Sequence, residues 1–206
     1  MVGAWVRGVA SATRRAEQYF KGRVRAAAGN RHHGLFQSCW YQRTLDFVSA
    51  RDNVVFLGPP GTGKTHLAIG IAIRACQAGH RVLFATAAEW VPRLAEAHHA
   101  GRLQQELVRL GRYPLLVVDE VGYIPFESEA ANLFFQLLSS RYERASLIVT
   151  SNNPFGRWDE VLSDDVVAAA MIDRLVHHAE VIALKGDSYR IKDRDLGRVP
   201  GSITEE

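Results

Sequence analysis

A glycine-rich stretch, GPPGTGKTH at residues 58–66, has the residue types of a phosphate-binding loop. It fits the pattern G-x-x-x-x-G-K-[S/T], with Gly58, Gly63, Lys64 and Thr65 at the fixed positions. Glycines let the backbone place several N–H groups around one anion, and a helix that begins near Gly63 adds its own unpaired N–H groups. Lys64 supplies a charge for the β- and γ-phosphates, and Thr65 a hydroxyl for Mg²⁺. The stretch therefore predicts that a nucleoside triphosphate is held by Gly58, Pro59, Pro60, Gly61, Thr62, Gly63, Lys64, Thr65 and His66.

Two adjacent carboxylates end a second apolar run, LLVVDE. Asp119, at the tip of a buried strand beside the loop, is expected to hold Mg²⁺ through its water shell, together with Thr65. Glu120 is expected to orient and deprotonate a water that attacks the γ-phosphate. The pairing favours ATP hydrolysis over phosphate transfer to a small molecule. The alternative is that two acids merely follow a strand.

A third polar group follows the apolar run SLIVTS. Asn152 comes directly after this run, and we expect it between the strand of the loop and the strand of Asp119. An amide there can hydrogen-bond both the γ-phosphate and the attacking water, which makes Asn152 a candidate catalytic residue. The alternative is an asparagine that starts a turn before Pro154.

Short apolar and β-branched runs alternate with helical stretches from residue 53 onward. The runs predict buried parallel strands at NVVFL, RVLFAT, LLVVD, SLIVTS and EVIAL. Helices are predicted at 64–77, 87–99, 102–110, 128–141 and 165–176. Strands joined by helical crossovers give an α/β fold, a three-layer sandwich around a five-stranded parallel sheet. A ligand binds such a sheet at the carboxyl ends of its strands, where the glycine-rich loop stands.

The composition predicts one globular domain in a reducing compartment. The chain has 206 residues, of which 47% are apolar, without an uncharged apolar run long enough to span a membrane. Its cysteines are Cys39 and Cys76, and we expect Cys76 to be packed in the helix after the loop. We therefore expect a cytoplasmic protein that does not interact with membranes.

Positive charge is concentrated at the start of the chain. Residues 1–50 contain eight Lys and Arg against two acids, a net charge of +6, whereas the whole chain has +3. This basic arm either contacts nucleic acid phosphates or is a solvated extension, and its composition fits both.

The combination GPPGTGKT, LLVVDE, TSN and MIDRL resembles the AAA+ ATPases. More narrowly, residues 44–192 resemble the IstB-type transposition helper ATPases and their relatives, the DnaC-type helicase loaders. The resemblance implies an AAA+ core with a minimal lid, homo-oligomers with ATP at subunit interfaces, and mostly sequence-nonspecific DNA binding. It also implies that Arg174 is an arginine finger that reaches the neighbouring subunit's ATP, and that Arg190 is a sensor arginine that binds nucleotide. The alternative for Arg174 is a surface arginine paired with Asp173.

The resemblance divides the chain into a basic arm at 1–43, an ATPase domain at 44–192 and a tail at 193–206. The arm departs from the longer helical N-terminal domain of the family. We therefore interpret the chain as a shortened or frameshifted copy, whose arm is either truncated or partly disordered.

DNA contacts are also expected after the second strand. Two helices there carry Arg93, Arg102, Arg109 and Arg112, and AAA+ initiators place an extra helix against DNA at this point. The alternative is a solvated helical face.

The paired histidines at 32–33, 98–99 and 177–178 do not have zinc-site spacing. Neighbours on a helix also point to different faces, so we expect no metal besides Mg²⁺.

The motifs predict an ATPase, and the resemblance implies that it binds DNA and recruits a transposase during insertion-sequence transposition. The alternative is a DnaC-type loader of the replicative helicase. A small-molecule kinase is disfavoured, because Glu120, Asn152 and Arg174 are not the parts of an acceptor site.

Overall fold

A central sheet of five parallel strands organises the molecule. The computed structural model describes residues 45–123 and 125–186. Its strands are β1 (Asn53–Leu57), β2 (Val82–Thr86), β3 (Leu115–Val121), β4 (Ser146–Ser151) and β5 (Ala179–Ala183). They lie side by side in the order β2-β3-β4-β1-β5, and every neighbouring pair is parallel. The five-stranded α/β fold predicted from the sequence is confirmed.

Helices connect the strands across both faces of the sheet. They are α1 (Asp46–Ala50), α2 (Lys64–Gln77), α3 (Ala87–His99), α4 (Leu103–Gly111), α5 (Ser128–Arg141), α6 (Trp158–Leu162) and α7 (Asp165–Val176), with a 3₁₀ turn at Phe155–Arg157. The five long helices lie where the apolar periodicity predicts them, within one residue at each end. The short helices α1 and α6 were not predicted, because five residues give too little periodicity to detect.

Alternating side chains of the strands pack into two separate hydrophobic cores, one on each face of the sheet. Val54 and Phe56 pack with α1 and α2 on one face of the sheet, while Val55 packs with α3, α4, α5, α6 and α7 on the other. This alternation is the period of two that a pleated strand imposes. The result is the predicted three-layer sandwich, with each layer of helices burying one face of the sheet.

A buried arginine joins three elements at the amino ends of β3 and β4. Arg141 is only 1% exposed, and its guanidinium donates to the carbonyls of Leu110, Tyr113 and Ser146 at 2.8–3.0 Å. Burial lowers its pKa to about 10. The side chain thus hydrogen-bonds carbonyl groups at the end of α4, just before β3 and at the start of β4, and holds these three segments together.

The structure bears on two further predictions, the burial of Cys76 and the lack of a membrane-spanning segment. Cys76 is exposed on α2, so the expectation that it is packed was wrong; it lies near the helix end, outside the buried stripe of α2. Within residues 45–123 and 125–186, none of the helices combines the length and apolar character needed to cross a bilayer.

Candidate nucleotide-binding site

The glycine-rich loop joins β1 to α2 at the carboxyl end of the sheet. Gly63 is the residue before α2, and its φ of 93° is in the left-handed region that glycine adopts without strain. Gly58 has no room for a side chain, because a Cβ there would lie 2.3 Å from the carbonyl oxygen of Leu184. The loop therefore delivers the N-terminus of α2, with its positive dipole end, to the space beside the strand tips.

Side chains of the loop fold back onto its own carbonyls. The Lys64 ammonium donates to the carbonyls of Gly58 and Pro59 at 2.6 and 2.8 Å, and the residue is buried. The Thr62 hydroxyl donates to the Pro59 carbonyl at 2.8 Å. The positive charge of Lys64 is thus held inside the curve of the loop, where a bound phosphate would meet it.

Asp119 is the centre of a hydroxyl network behind the loop. Its Oδ1 accepts from the Thr65 hydroxyl at 3.1 Å and from the Thr150 hydroxyl at 2.5 Å. Asp119 is only 3% exposed, so these two donors stabilise a carboxylate that little water reaches. Thr65 and Asp119, predicted to share one magnesium ion, are therefore in direct contact, and both present the hard oxygen ligands that Mg²⁺ prefers.

Glu120 has the opposite surroundings although it is the next residue. Its side chain is exposed, its φ is 61°, and its N–H donates to the Thr150 hydroxyl at 2.9 Å. The register between β3 and β4 shifts between Val118 and Val121, which is where this left-handed residue lies. The backbone irregularity separates a buried carboxylate from an exposed one within two residues.

Thr150 is a site residue that the sequence analysis missed. Its hydroxyl connects both acids, and it is only 1% exposed on β4. The signal was available, because a threonine that follows the apolar residues LIV in the buried run SLIVTS must find a hydrogen-bond partner.

Asn152 follows β4 directly and is half-buried, and β4 lies between β1 and β3 as expected for it. Its neighbour Asn153 has a structural role, because its side-chain amide donates to the Gly122 carbonyl at 3.1 Å. Asn153 thus connects the ends of β3 and β4, and a catalytic role for Asn152 stays a prediction.

Arg174 lies at the other end of the sheet. It is in the last turn of α7, beside Leu175, whose carbonyl accepts from Asn53 at the start of β1. Its guanidinium donates to the Ala170 carbonyl at 3.1 Å and stacks over the Phe135 ring at 4.5 Å. Arg174 is therefore far from the loop of its own chain, which follows the opposite end of β1. Arg190 lies outside the described residues.

Comparisons with known proteins agree with this geometry. A family model described as IstB-like ATP binding protein matches residues 37–197. The ATP-binding protein of insertion sequence IS21 from Pseudomonas aeruginosa is 47% identical over 161 residues, which are 78% of this chain and 60% of that protein. The corresponding protein of IS5376 from Geobacillus stearothermophilus is 43% identical over 153 residues, 74% of this chain and 61% of that one. The chain thus spans about 60% of the length of these relatives.

Solved structures share the fold at low sequence identity. The DnaC helicase loader superposes with a TM-score of 0.60 and 20% identity, covering 75% of this chain and 92% of that one. The replication initiator DnaA bound to AMPPCP and single-stranded DNA has a TM-score of 0.59 and 20% identity, covering 77% and 48%. Both are AAA+ P-loop proteins, so the AAA+ core predicted for this chain is confirmed as a fold.

Proposed function

The chain belongs to the IstB-like ATP-binding protein family, and we propose that it is an ATPase that binds DNA and delivers a transposase to it. Its relatives are ATP-binding proteins of insertion sequences. The observation that carries the proposed hydrolysis is the separation of Asp119, buried under two hydroxyl donors, from Glu120, exposed beside it.

The two carboxylates suit two different roles. Asp119, with Thr65, would hold Mg²⁺, which supplies charge neutralisation at the β- and γ-phosphates when it is bound. Glu120 accepts a proton from the water whose oxygen attacks the γ-phosphorus, while the bond from that phosphorus to the ADP oxygen breaks. Thr150 positions both groups, because its hydroxyl donates to Asp119 and accepts from the Glu120 N–H.

Glu120→Gln tests the hydrolysis. This substitution keeps size and hydrogen bonding but removes the base, so ATP should bind as in the parent while turnover falls by about 10²-fold or more. Lys64→Ala is the control that should lose ATP binding itself, because the loop loses its buried cation. Parent-rate hydrolysis by Glu120→Gln would remove Glu120 from the proposal.

The proposed DNA contact rests on the corner between α3 and α4. Two of its four arginines are already engaged, since Arg93 and Arg109 both bind the Glu106 carboxylate at 2.8–2.9 Å. Arg102 and Arg112, at either end of α4, are exposed and outside this cluster. We therefore propose Arg102 and Arg112, whose charges no Glu106 contact offsets, as the first contacts of this corner with DNA phosphates.

A salt titration tests that contact. Arg102→Gln with Arg112→Gln should weaken DNA binding and lower the slope of log affinity against log salt by about one for each phosphate that the protein no longer neutralises. The matched control removes two other exposed arginines, Arg74 on α2 and Arg144 before β4. Equal effects of the two double variants would assign DNA binding to overall charge, and an unchanged slope in both would place it elsewhere on the protein.

The partner is the point at which the two candidate functions differ. The likeness to the DnaC loader is at 20% identity and shows a shared fold, whereas the insertion-sequence relatives are 43–47% identical. We therefore favour the transposase over the replicative helicase. A pull-down with ATP, using an insertion-sequence transposase and a replicative helicase as baits, tests this choice, and retention by the helicase alone would reverse it.

A further inference from the structure

Two adjacent histidines and a glutamate meet where α7 ends. His177 and His178 follow the last helical residue, so they lie outside the regular helix and face the same neighbour. That neighbour is Glu143, in the turn between α5 and β4. One ligand atom from each of the three side chains lies within 4.8 Å of the other two. The sequence analysis assumed that adjacent histidines lie on a helix and point to different faces. This assumption does not hold for His177 and His178, because the helix ends before them.

The turn and the helix end are both held in place around this cluster. Tyr142 Oη lies 2.6 Å from His177 Nδ1, and the two rings stack with their centroids 5.9 Å apart. The His178 carbonyl accepts from the Asn53 N–H at 2.7 Å, which fixes its backbone to the start of β1. His178 Nε2 is 3.6 Å from a Glu143 carboxylate oxygen. The turn and the helix end that carry the three side chains are therefore held close together.

We propose that Glu143, His177 and His178 form a binding site for a zinc-type divalent cation. Imidazole nitrogens and a carboxylate oxygen are the donors that Zn²⁺ takes, and three protein ligands with an open fourth position are a common zinc arrangement. Zinc bond lengths of about 2.0–2.2 Å place neighbouring ligand atoms about 3.3 Å apart in a tetrahedron. The 3.6 Å between His178 and Glu143 is close to this separation. Their side chains are 47% and 58% exposed, so they have room for the remaining adjustment.

The competing explanation is an ordinary surface ion pair between Glu143 and protonated His178. A second histidine pair in the same chain separates the two explanations. His98 and His99 lie near Glu129, at 4.0 and 3.4 Å, but they belong to α3 and their ring centroids are 6.1 Å apart. The corresponding distance for His177 and His178 is 4.4 Å. Both clusters have the same residue types, and only the cluster at the end of α7 has its ligand atoms gathered.

Metal titration of the full chain, purified without a histidine tag and treated with chelator, tests the proposal. In calorimetry, ZnCl₂ is the only titrant, and excess Mg²⁺ in the buffer occupies the phosphate-loop site. The parent should bind zinc, and His178→Gln or Glu143→Gln should lower the zinc affinity at least tenfold. Loss of a residue that only orients a metal ligand lowers metal affinity by about 10–100-fold, and loss of a ligand itself should lower it at least as much. Co²⁺ in place of Zn²⁺ should give the visible absorption of a four-coordinate ion, and the same variants should lose it.

The control variants are His98→Gln and Glu129→Gln, which should leave zinc affinity and the Co²⁺ spectrum unchanged. Thermal unfolding in chelator checks that all four variants fold like the parent. Zinc should raise the unfolding temperature of the parent and of the controls, but not of His178→Gln. Zinc affinity that is equal in all variants, or that falls equally in both clusters, would overturn the proposal in favour of scattered surface histidines.

Discussion

Glu120 is the residue at which local backbone preference and the proposed function conflict. A non-glycine residue in the left-handed region costs about 1–2 kcal/mol, and Glu120 has a φ of 61°. The same conformation interrupts the buried run of β3, which resumes at Val121, and gives Glu120 an exposed side chain beside the buried Asp119. Strain of this kind persists where the surroundings fix it, and here the bond from the Glu120 N–H to Thr150 is part of what fixes it.

We expect Glu120→Gly to keep or raise the free energy of unfolding while abolishing ATP hydrolysis. Glycine removes the penalty of the left-handed conformation, but it also gives the unfolded chain more conformational freedom, which offsets part of that stabilisation. The net change in the free energy of unfolding is therefore about 0–1 kcal/mol. Glu96→Gly in α3 is the matched control, because glycine inside a regular helix costs about 1 kcal/mol. Denaturant unfolding measures both. If the two variants lose the same stability, the backbone at Glu120 stores no strain.

Thr150 gives a second prediction at the level of the single residue. Thr150→Val keeps the shape but leaves the Glu120 N–H without its acceptor and Asp119 with one donor fewer. We expect a loss of about 1–3 kcal/mol in unfolding free energy, together with weaker Mg²⁺-dependent ATP binding. Thr150→Ser, which retains the hydroxyl, should recover most of both. If Thr150→Val matches the parent in unfolding and in ATP titration, the network around Asp119 does not depend on this hydroxyl.

Among the secondary-structure elements, those with a strong local signal could be predicted from the sequence. The apolar runs of β1 and β4 and the long amphipathic helices have such signals, and the loop at 58–65 has fixed residue spacing. The order of the strands is set by how helices pack across the sheet, which no local pattern records. The left-handed bend at Glu120 and the meeting of Glu143 with His177 were missed for the same reason, since both depend on contacts between distant segments.

The pair α3 and α4 is tied by one shared carboxylate. Glu106 on α4 binds Arg93 of the preceding helix and Arg109 of its own, and Arg93 also stacks on the Trp90 ring. Burial raises the pKa of Glu106, but the hydrogen bonds and positive charges of Arg109 and Arg93 outweigh it and leave the pKa below the usual glutamate value. A carboxyl whose pKa falls on folding stabilises the folded state at neutral pH.

Glu106→Gln should therefore destabilise the chain at pH 7 and lose this effect in acid. The stabilisation by Glu106 is complete above the ordinary glutamate pKa and is lost as the pH falls through the lowered value. Because Arg109 is largely exposed, we expect a difference of at most about 1 kcal/mol at pH 7. Urea unfolding of the parent and variant between pH 7 and 3 measures it, with exposed Glu96→Gln as the control. A difference that does not change with pH would show that Glu106 acts through packing.

At the scale of the whole molecule, the parts proposed for hydrolysis lie at opposite ends of the sheet. The loop, Asp119 and Glu120 are at the carboxyl ends of the strands, and Arg174 is beside the amino end of β1. One chain cannot bring them together without unfolding its sheet. Two copies can, if the α7 end of one chain meets the loop of the next, which is the subunit-interface site that the family resemblance implies. The alternative is a structural Arg174, held by Phe135 and the Ala170 carbonyl.

Mixing two inactive variants distinguishes these roles of Arg174. Arg174→Ala alone should bind ATP nearly normally and hydrolyse it about 10³-fold more slowly, because a guanidinium supplied by a neighbour stabilises the charge that builds on the γ-phosphate. Lys64→Ala alone should be inactive for lack of bound ATP. In mixed oligomers, the intact Arg174 of a Lys64→Ala chain can serve the intact loop of an Arg174→Ala chain, so ATPase activity should reappear. As a control, Arg144→Ala removes an exposed arginine from the turn between α5 and β4, and this variant should hydrolyse ATP like the parent. Two results would contradict action on a neighbour: full activity of Arg174→Ala, or no recovery in mixtures whose assembly is verified by light scattering. Either result would assign Arg174 to the packing of α7 on α5, where loss of its cation–π contact with the Phe135 ring costs about 0.5–1 kcal/mol of stability.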